Sequence, residues 1–259
     1  MKVVLLAGGY GTRIIEESNL RPKPLIEIGS KPILWHIMKI YSYYGFNDFI
    51  ICCGYKSHMI KKYFLNYYLL ESNITVKLQD NSVKIHNSSS EPWKVTLVDT
   101  GIDAMTGSRI KKIKKYVGSE PFMFSYGDGV SNIDLRALLE FHNSHGKIAT
   151  VTTVEPNSKF GVLNISDNGL IHNFTEKPKQ SGFWINGGFS IFENEIFQYI
   201  EDGDSCILED KPFKKLSEES QMMAYKHNGF WYAMDTTADK RYLQTLWDEG
   251  NAPWKIWSE

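Results

Sequence analysis

Cysteine is scarce in this sequence, and no cysteine lies in a metal-binding pattern. The chain has three: Cys52 and Cys53 are adjacent in the apolar run FIICCG, and Cys206 stands alone. No CxxC pair, no Cys/His spacing typical of zinc and no HExxH motif occurs. We therefore expect no zinc site. We predict reduced cysteines in a cytoplasmic protein, with two of them in a buried strand.

Long apolar segments and an excess of charge are also missing. No run reaches the roughly 18 apolar residues of a membrane-spanning helix, and residues 3–7 are too short for the apolar core of a signal peptide. We therefore expect no membrane partner. Lys and Arg number 29 against 30 Asp and Glu. This balance argues against a nucleic-acid partner, but a few well-placed cations could still bind a small anion.

The first half of the chain alternates apolar runs with helical patterns. This rhythm predicts a mostly parallel sheet with helices on both sides. Continuous apolar runs are typical of parallel strands that are buried on both faces. The predicted strands are 2–6, 49–53, 75–78, 94–99 and 121–126, and the predicted helices are 32–45, 56–71, 106–118 and 133–145.

After residue 147 the pattern changes toward hairpins. The DNG at 167–169 is a typical turn sequence. No linker, repeat or low-complexity tract interrupts the chain, so we predict one continuous α/β domain over residues 1–259. The predicted strands are 149–154, 160–165, 170–176, 187–192 and the short run FWYAMD, and the predicted helices are 194–200, 211–219 and one starting near Thr237.

The first predicted strand ends in a glycine-rich loop, LLAGGYGTR at 5–13. Glycines let the backbone approach an anion and point several N–H groups at it. The loop lacks the Lys-Ser/Thr of a P-loop, and the third glycine of a dinucleotide-binding motif would fall at Ile14. The loop alone therefore leaves two interpretations open, a phosphate-binding loop or a tight strand-to-helix turn.

Further motifs carry charges that could serve a phosphate ligand. PKP at 22–24 holds Lys23 between prolines, which bias its backbone toward extended conformations. YGDG at 126–129 ends a predicted strand, where Asp128 could bind a hard cation or cap the next turn. The remaining motifs are EKP at 176–178, NGG at 186–188 and MDT at 234–236.

Taken in order, LLAGGYGTR, PKP, GDG, EKP, NGGF and MDT resemble the signature of the sugar-1-phosphate nucleotidylyltransferases. Longer blocks, among them KPILWHIMKIYS and EPWxVTLVDTG, narrow the resemblance to members that use CTP and glucose 1-phosphate. The likeness extends from Met1 to Trp257. It implies a Rossmann-like mixed α/β fold of the nucleotide-diphospho-sugar transferase type, a Mg²⁺ cofactor and a homohexamer.

The resemblance also implies roles for individual residues. It divides the domain into a nucleotide-binding half, 1–146, and a sugar-phosphate-binding and oligomerisation half, 147–259. Asp128 and Asp235 would be the metal ligands, and Arg13, Lys23 and Lys177 would be catalytic. The nucleotide would contact Leu6, Ala7, Gly8, Gly9, Gly11, Thr12, Arg13, Lys23, Thr106, Arg109 and Gly127, and the sugar phosphate would contact Tyr126, Glu176, Lys177 and Asn186.

The implied reaction joins CTP and α-D-glucose 1-phosphate to give CDP-glucose and pyrophosphate. Two alternatives stay open at this point. One is a nucleotidylyltransferase that uses UTP, dTTP or another sugar phosphate, because base choice depends on a few hydrogen bonds that the sequence does not define. The other is a non-catalytic sensor of sugar nucleotides, which the presence of Arg13, Lys23 and both aspartates disfavours.

Overall fold

The computed structural model describes residues 1–156, 162–166, 169–175 and 183–258. Glu176, Lys177, the Asp and Asn of the DNG turn and the start of the strand predicted at 160–165 lie outside these ranges. The strands are β1 (Lys2–Ala7), β2 (Glu27–Ile28), β3 (Lys31–Pro32), β4 (Asp48–Cys53), β5 (Ser72–Lys77), β6 (Ser82–Ser88), β7 (Lys94–Asp99), β8 (Phe122–Tyr126), β9 (Gly129–Ser131), β10 (Ala149–Val154), β11 (Val162–Ile165), β12 (Ile171–Thr175), β13 (Ile185–Phe192), β14 (Met222–His227) and β15 (Trp231–Ala233).

In the described part of the chain, α-helices flank the central sheet. None of the described helices combines the length and the apolar character that a bilayer-spanning segment requires. The helices are α1 (Ile15–Ser18), α2 (Ile33–Tyr43), α3 (Ser57–Leu70), α4 (Thr106–Lys112), α5 (Lys114–Val117), α6 (Leu135–His145), α7 (Lys211–Glu218) and α8 (Thr237–Asp248).

A seven-stranded sheet forms the centre of the fold, in the order β14-β10-β13-β8-β1-β4-β7. β1 is parallel to both of its neighbours, β4 and β8, and β7 continues the parallel set. β13 is antiparallel to β8 and to β10, whereas β14 is parallel to β10. The prediction of a mixed, mostly parallel sheet flanked by helices is confirmed.

β1 shows why an unbroken apolar run forms this sheet. Val3 and Leu5 belong to the hydrophobic core on one face of the sheet, and Val4 and Leu6 to the core on the other. Successive side chains of a strand point to opposite faces, so a strand covered on both sides must be apolar at every position. β4 follows the same rule, and it buries the thiols of Cys52 and Cys53 as predicted.

Several predicted elements differ from the structure. The helix predicted at 194–200 is a short 3₁₀ helix, Asn194–Gln198. The basic helix predicted at 106–118 divides at Ile113, which leaves the helical backbone conformation and is fully buried. The strand predicted at 75–78 does not join the main sheet, because β5 pairs with β6 in a separate antiparallel hairpin. The strands β6 and β14 were not predicted, since SVKIHNS and MMAYKH mix polar with apolar residues and lack the apolar run of a central strand.

The parallel pairing brings three strand ends to one edge of the sheet. Ala7 at the end of β1 lies opposite Cys53 of β4, and Leu6 lies opposite Tyr126 of β8. The loops that follow these strands therefore start side by side. In open α/β sheets this edge, outside the carboxyl ends of the strands, is where ligands bind.

Candidate active site

The glycine loop after β1 lies directly against a buried arginine. A Cβ added to Gly8 would lie 2.5 Å from Cζ of Arg109, which is closer than carbon atoms can approach without displacement. Gly11 has a φ of 68° and precedes a short 3₁₀ helix, Thr12–Ile14. This left-handed backbone favours glycine because a Cβ would be strained there. Steric constraints therefore explain why two of the three residues, Gly8 and Gly11, are glycine.

Arg109 supports the loop from behind. The residue is 4% exposed. Its terminal nitrogens donate to the Gly8 carbonyl at 2.9 Å, to Thr100 Oγ1 at 2.7 Å and to the Gly101 carbonyl at 2.8 Å. Burial lowers the pKa of Arg109, but arginine stays charged at neutral pH. The guanidinium thus fixes the backbone of two loops, and direct contact with a nucleotide stays a prediction.

Lys23 begins a short 3₁₀ helix, Lys23–Leu25, rather than an extended segment. The extended backbone predicted for Lys23 is therefore wrong, although Pro22 before it is extended, with φ −64° and ψ 146°. The turn closes because the Leu25 N–H donates to the Pro22 carbonyl at 2.8 Å. This turn directs the lysine side chain inward, where the residue is only 8% exposed.

The Lys23 ammonium lies between the two aspartates predicted as metal ligands. Nζ is 2.7 Å from Asp128 Oδ2 and 2.8 Å from Asp235 Oδ1. Arg13 Nη1 lies 2.8 Å from the other oxygen of Asp235. Burial opposes the positive charge of Lys23, but the two carboxylates outweigh it and raise its pKa. Four predicted site residues therefore form one connected set of ion pairs.

A small two-stranded sheet holds the two aspartates together. Asp128 directly precedes β9, and Asp235 follows β15 after one residue. β15 pairs with β9 in antiparallel register, with Ala233 opposite Gly129. The Met234 N–H also donates to the Asp128 carbonyl at 2.9 Å. FWYAMD thus serves as a short support beside the main sheet rather than as one of its strands.

Asp239 is a site-supporting residue that the sequence interpretation missed. The residue is 3% exposed, and its Oδ2 accepts from the backbone N–H groups of Asp235 at 3.1 Å and Thr236 at 2.8 Å. Thr236 and Asp239 form a capping box at the start of α8. A Ser or Thr followed three residues later by an acidic residue signals a helix start. TTAD at 236–239 carried that signal, and it places a buried carboxylate directly behind Asp235.

Tyr126 and Asn186, both predicted at the sugar phosphate, are hydrogen-bonded to each other. Asn186 Nδ2 donates to the tyrosine hydroxyl at 3.2 Å, and its Oδ1 accepts from the Gly188 N–H at 2.8 Å. Trp231 Nε1 donates to the Gly187 carbonyl at 2.6 Å. The NGG turn is thus held from two sides and presents its polar groups beside the end of β8.

Two cavities open at this edge of the sheet, and they share Arg13, Tyr126 and Asp128. The larger has a volume of about 400 Å³ and the smaller about 250 Å³. Asn186 and Asp235 line the smaller cavity. The larger cavity is lined by every residue predicted for the nucleotide, namely Leu6, Ala7, Gly8, Gly9, Gly11, Thr12, Arg13, Lys23, Thr106, Arg109 and Gly127.

The carboxylates of Asp128 and Asp235 are hard oxygen donors, and the Lys23 ammonium lies between them. Within the described ranges, no group of three or more His, Cys, Asp or Glu side chains is arranged to hold a metal ion. A two-carboxylate set fits Mg²⁺, which is commonly held by one or two carboxylates together with substrate phosphates. The same set does not fit zinc, which prefers nitrogen and sulfur ligands.

A family model described as nucleotidyl transferase matches residues 2–245. The chain belongs to the nucleotidyl transferase family. The family predicted from the motifs is therefore confirmed, and the chain is an enzyme of the transferase class. Its predicted fold is confirmed as well.

Two curated relatives match almost the whole of this nucleotidyl transferase. Glucose-1-phosphate cytidylyltransferase of Salmonella typhi is 50% identical over 258 residues, covering 99% of this chain and 100% of the relative. Probable glucose-1-phosphate cytidylyltransferase of Bacillus subtilis is 42% identical, with 99% and 100% covered. A solved structure of a putative glucose-1-phosphate thymidylyltransferase from Bacillus anthracis, in complex with a sucrose, has a TM-score of 0.68 at 19% identity. It covers 100% of this chain and 98% of its own, and it shows the shared fold.

The contact between Gly8 and Arg109 predicts a difference between two neighbouring glycines. Gly8→Ala should lower the free energy of unfolding by about 1–3 kcal/mol, because the new methyl group must displace a buried, hydrogen-bonded guanidinium. Gly9→Ala is the matched control, since its Cβ would meet no atom within 4 Å. Urea unfolding of the two variants measures the difference. Equal stabilities would contradict the packing described for Gly8.

Proposed function

We propose that the chain transfers CMP from CTP to α-D-glucose 1-phosphate and releases CDP-glucose and pyrophosphate. The observation that carries the proposal is the pair of cavities that share Arg13 and Asp128. A nucleotide in the larger cavity and a sugar phosphate in the smaller one would bring their phosphates together at this junction. The choice of CTP and glucose 1-phosphate is supported by the two relatives that match 99% of the chain.

The proposed transfer reaction requires positioning of the substrates and positive charge, and it needs no general base. A phosphate monoester has a second pKa of about 6, so it is mostly a dianion at neutral pH and attacks without losing a proton. A sugar-phosphate oxygen attacks the α-phosphorus in line with the departing pyrophosphate. The difficulties are the approach of two anions and the charge on the leaving group, which oriented cations relieve in phosphoryl-type transfer.

Arg13 is suited to stabilise the departing pyrophosphate. Its side chain is 72% exposed and is held at the junction by an ion pair to Asp235. It lines both cavities and follows the glycine loop directly. A planar guanidinium can bind two phosphate oxygens at once, which matches the β- and γ-phosphates of CTP.

Lys23 would contact the phosphates from the floor of the larger cavity. Its ammonium has three N–H donors, and two of them are engaged by Asp128 and Asp235. The third has no acceptor among the described residues and would donate to a phosphate oxygen. Lys177 would act from the opposite side, beside Glu176, in a segment outside the described residues.

Asp128 and Asp235 would hold Mg²⁺ when the substrates are bound. The two carboxylates balance the charges of Arg13 and Lys23, so these four residues carry no net charge of their own. Two incoming phosphate groups would add negative charge that these residues do not offset. A bound Mg²⁺ would supply charge neutralisation between the nucleotide and the sugar phosphate.

The division into two functional halves is part of the same proposal. The residues that line the larger cavity all fall within 1–146, which supports this half as the nucleotide-binding one. The smaller cavity adds residues from 186–189 and 231–235, in the half proposed to bind the sugar phosphate.

We retain a homohexamer as the proposed assembly. The hairpin of β5 and β6 gives physical support for association between subunits. Its cross-strand pairs Ile74–Ile85 and Val76–Val83 lie on one face, and these side chains are 39–46% exposed. A contact between subunits would bury this apolar surface.

Substrate choice is tested by offering each nucleoside triphosphate in turn. With Mg²⁺ and glucose 1-phosphate, we expect pyrophosphate release with CTP and little with UTP, dTTP, ATP or GTP. The measurement is a coupled pyrophosphate assay on the purified chain. Release only with UTP or dTTP would replace the proposed specificity, and no release with any triphosphate would favour the sensor alternative.

Removal of the Arg13 guanidinium should slow the reaction without unfolding the chain. Arg13→Ala is expected to lower kcat by about 10²–10³-fold, the usual effect of losing one group that stabilises developing charge. Arg21→Ala is the matched control, because Arg21 pairs with Glu27 and lies outside both cavities. Steady-state kinetics measure both. An Arg13→Ala enzyme with the turnover of Arg21→Ala would remove Arg13 from the mechanism.

Neutralising either proposed metal ligand should weaken the response to Mg²⁺. Asp128→Asn and Asp235→Asn are each expected to raise the Mg²⁺ concentration needed for half-maximal activity by roughly tenfold or more. Asp202→Asn is the control, because that side chain is 94% exposed and outside both cavities. Titration of activity with Mg²⁺ gives the comparison. Unchanged titration curves in both variants would contradict the two-aspartate site.

A further inference from the structure

The segment before α7 is attached firmly to the start of α4. The Met105 N–H donates to the Asp204 carbonyl at 2.8 Å, and the Ser108 N–H donates to the Cys206 carbonyl at 3.1 Å. The Leu208 N–H donates to Thr106 Oγ1 at 2.9 Å. These bonds fix the segment against the first turn of α4, and they bring the next residue, Glu209, beside Thr106, which lines the larger cavity.

The carboxylate of Glu209 accepts hydrogen bonds from two residues that line the cavities. Its Oε2 accepts a hydrogen bond from Thr106 Oγ1 at 2.6 Å, and its Oε1 accepts one from the hydroxyl of Tyr126. Thr106 lines the larger cavity, and Tyr126 lines both. No motif or resemblance pointed to Glu209, because an acidic residue before a predicted helix is ordinary.

The direction of these hydrogen bonds determines what Tyr126 offers to its other neighbour. Burial raises the pKa of Tyr126, and the nearby Glu209 carboxylate raises it further, so the hydroxyl keeps its proton. That proton is donated to Glu209. The oxygen is therefore left as an acceptor, and Asn186 Nδ2 donates to it at 3.2 Å.

Two hydrogen bonds orient the Asn186 amide. Its Oδ1 is held by the Gly188 N–H at 2.8 Å and its Nδ2 by Tyr126. An amide has two N–H donors and two acceptor lone pairs. Among the described residues, one donor and one lone pair of the amide have no hydrogen-bond partner, and both could serve a ligand in the smaller cavity, which Asn186 lines.

We propose that Glu209 is a positioning residue for the sugar phosphate, acting through Tyr126 to orient the Asn186 amide. The proposal rests on the proposed function, in which the smaller cavity binds the sugar phosphate. Without Glu209, the Tyr126 proton is free to turn toward Asn186 or the cavity, and the amide loses a defined partner. Thr106 keeps the hydrogen bond from Leu208, so the nucleotide cavity is affected less.

The experiment compares Glu209→Ala, Tyr126→Phe and the double variant. Glu209→Ala should raise KM for glucose 1-phosphate roughly three- to tenfold, the effect of one neutral hydrogen bond, while KM for CTP changes less than twofold. Tyr126→Phe should raise KM for glucose 1-phosphate similarly. The double variant should be no worse than Tyr126→Phe alone, because Glu209 acts through the missing hydroxyl.

Glu219→Ala is the matched control, since Glu219 also accepts from a tyrosine hydroxyl, that of Tyr199, outside both cavities. It should leave both KM values unchanged. The proposal is overturned if Glu209→Ala leaves KM for glucose 1-phosphate unchanged, if the two substitutions add fully, or if KM for CTP rises instead.

Calorimetric titration with glucose 1-phosphate repeats the comparison without turnover. A wild-type protein that binds the sugar phosphate but does not react with CTP would contradict the proposed function alone, and weaker binding by Glu209→Ala would still support the positioning role. Binding that is equal in the two proteins would contradict the positioning role alone.

Discussion

The Lys23 side chain is only 10% exposed, and this largely buried cation constrains the site around it. A buried charge costs several kcal/mol unless opposite charges and hydrogen bonds replace its hydration. Asp128 and Asp235 provide both, although they lie 105 and 212 residues further along the chain. The folded chain must therefore bring two distant segments within hydrogen-bonding distance of the Lys23 ammonium.

Several neighbouring elements place Asp128 and Asp235 beside the Lys23 ammonium. β8 carries Asp128 to the edge because it pairs in parallel register beside β1. The pairing of β15 with β9 sets Asp235 next to it, and Asp239 holds the backbone of Asp235 from behind. The glycine loop adapts as well, since a Cβ on Gly11 would lie 3.2 Å from the Cβ of Lys23. Loop, lysine and aspartates thus depend on one another for their positions.

The elements predicted best from the sequence are those with a local cause. β1, β4 and β8 are apolar because both faces are covered, and α2 is bounded by Pro32 and Gly45. The motifs also identified residues that lie together in the fold. What the motifs could not predict is which charges pair, namely that the Lys23 ammonium lies between the two aspartates. Pairing between distant segments is decided by tertiary structure, which one sequence does not display.

The same limit applies to elements with weak patterns and to supporting side chains. β5 and β6 form a hairpin outside the main sheet, and nothing in their alternating residues distinguishes this from an edge strand. Glu209 carries no motif because its role depends on two hydroxyls from other elements. Asp239 differs, because its capping box is a local signal. That signal predicts a helix start, but it does not reveal that the same carboxylate supports a residue of the site.

Arg13 and Arg109 differ in their burial and in their hydrogen-bond partners, and these differences suit the two arginines to different roles. Both line the larger cavity, and the resemblance implied a nucleotide contact for each. The guanidinium of Arg109 is buried and engaged by backbone carbonyls and a threonine hydroxyl, so binding a phosphate would require it to release the loops it holds. Arg13 is exposed and, in the described part of the chain, has one ion pair, to Asp235. It can turn toward a phosphate at the cost of a single exposed contact, worth at most about 1 kcal/mol. Arg109 therefore holds the loops in place, and Arg13 is the arginine better suited to the proposed contact with the leaving phosphates.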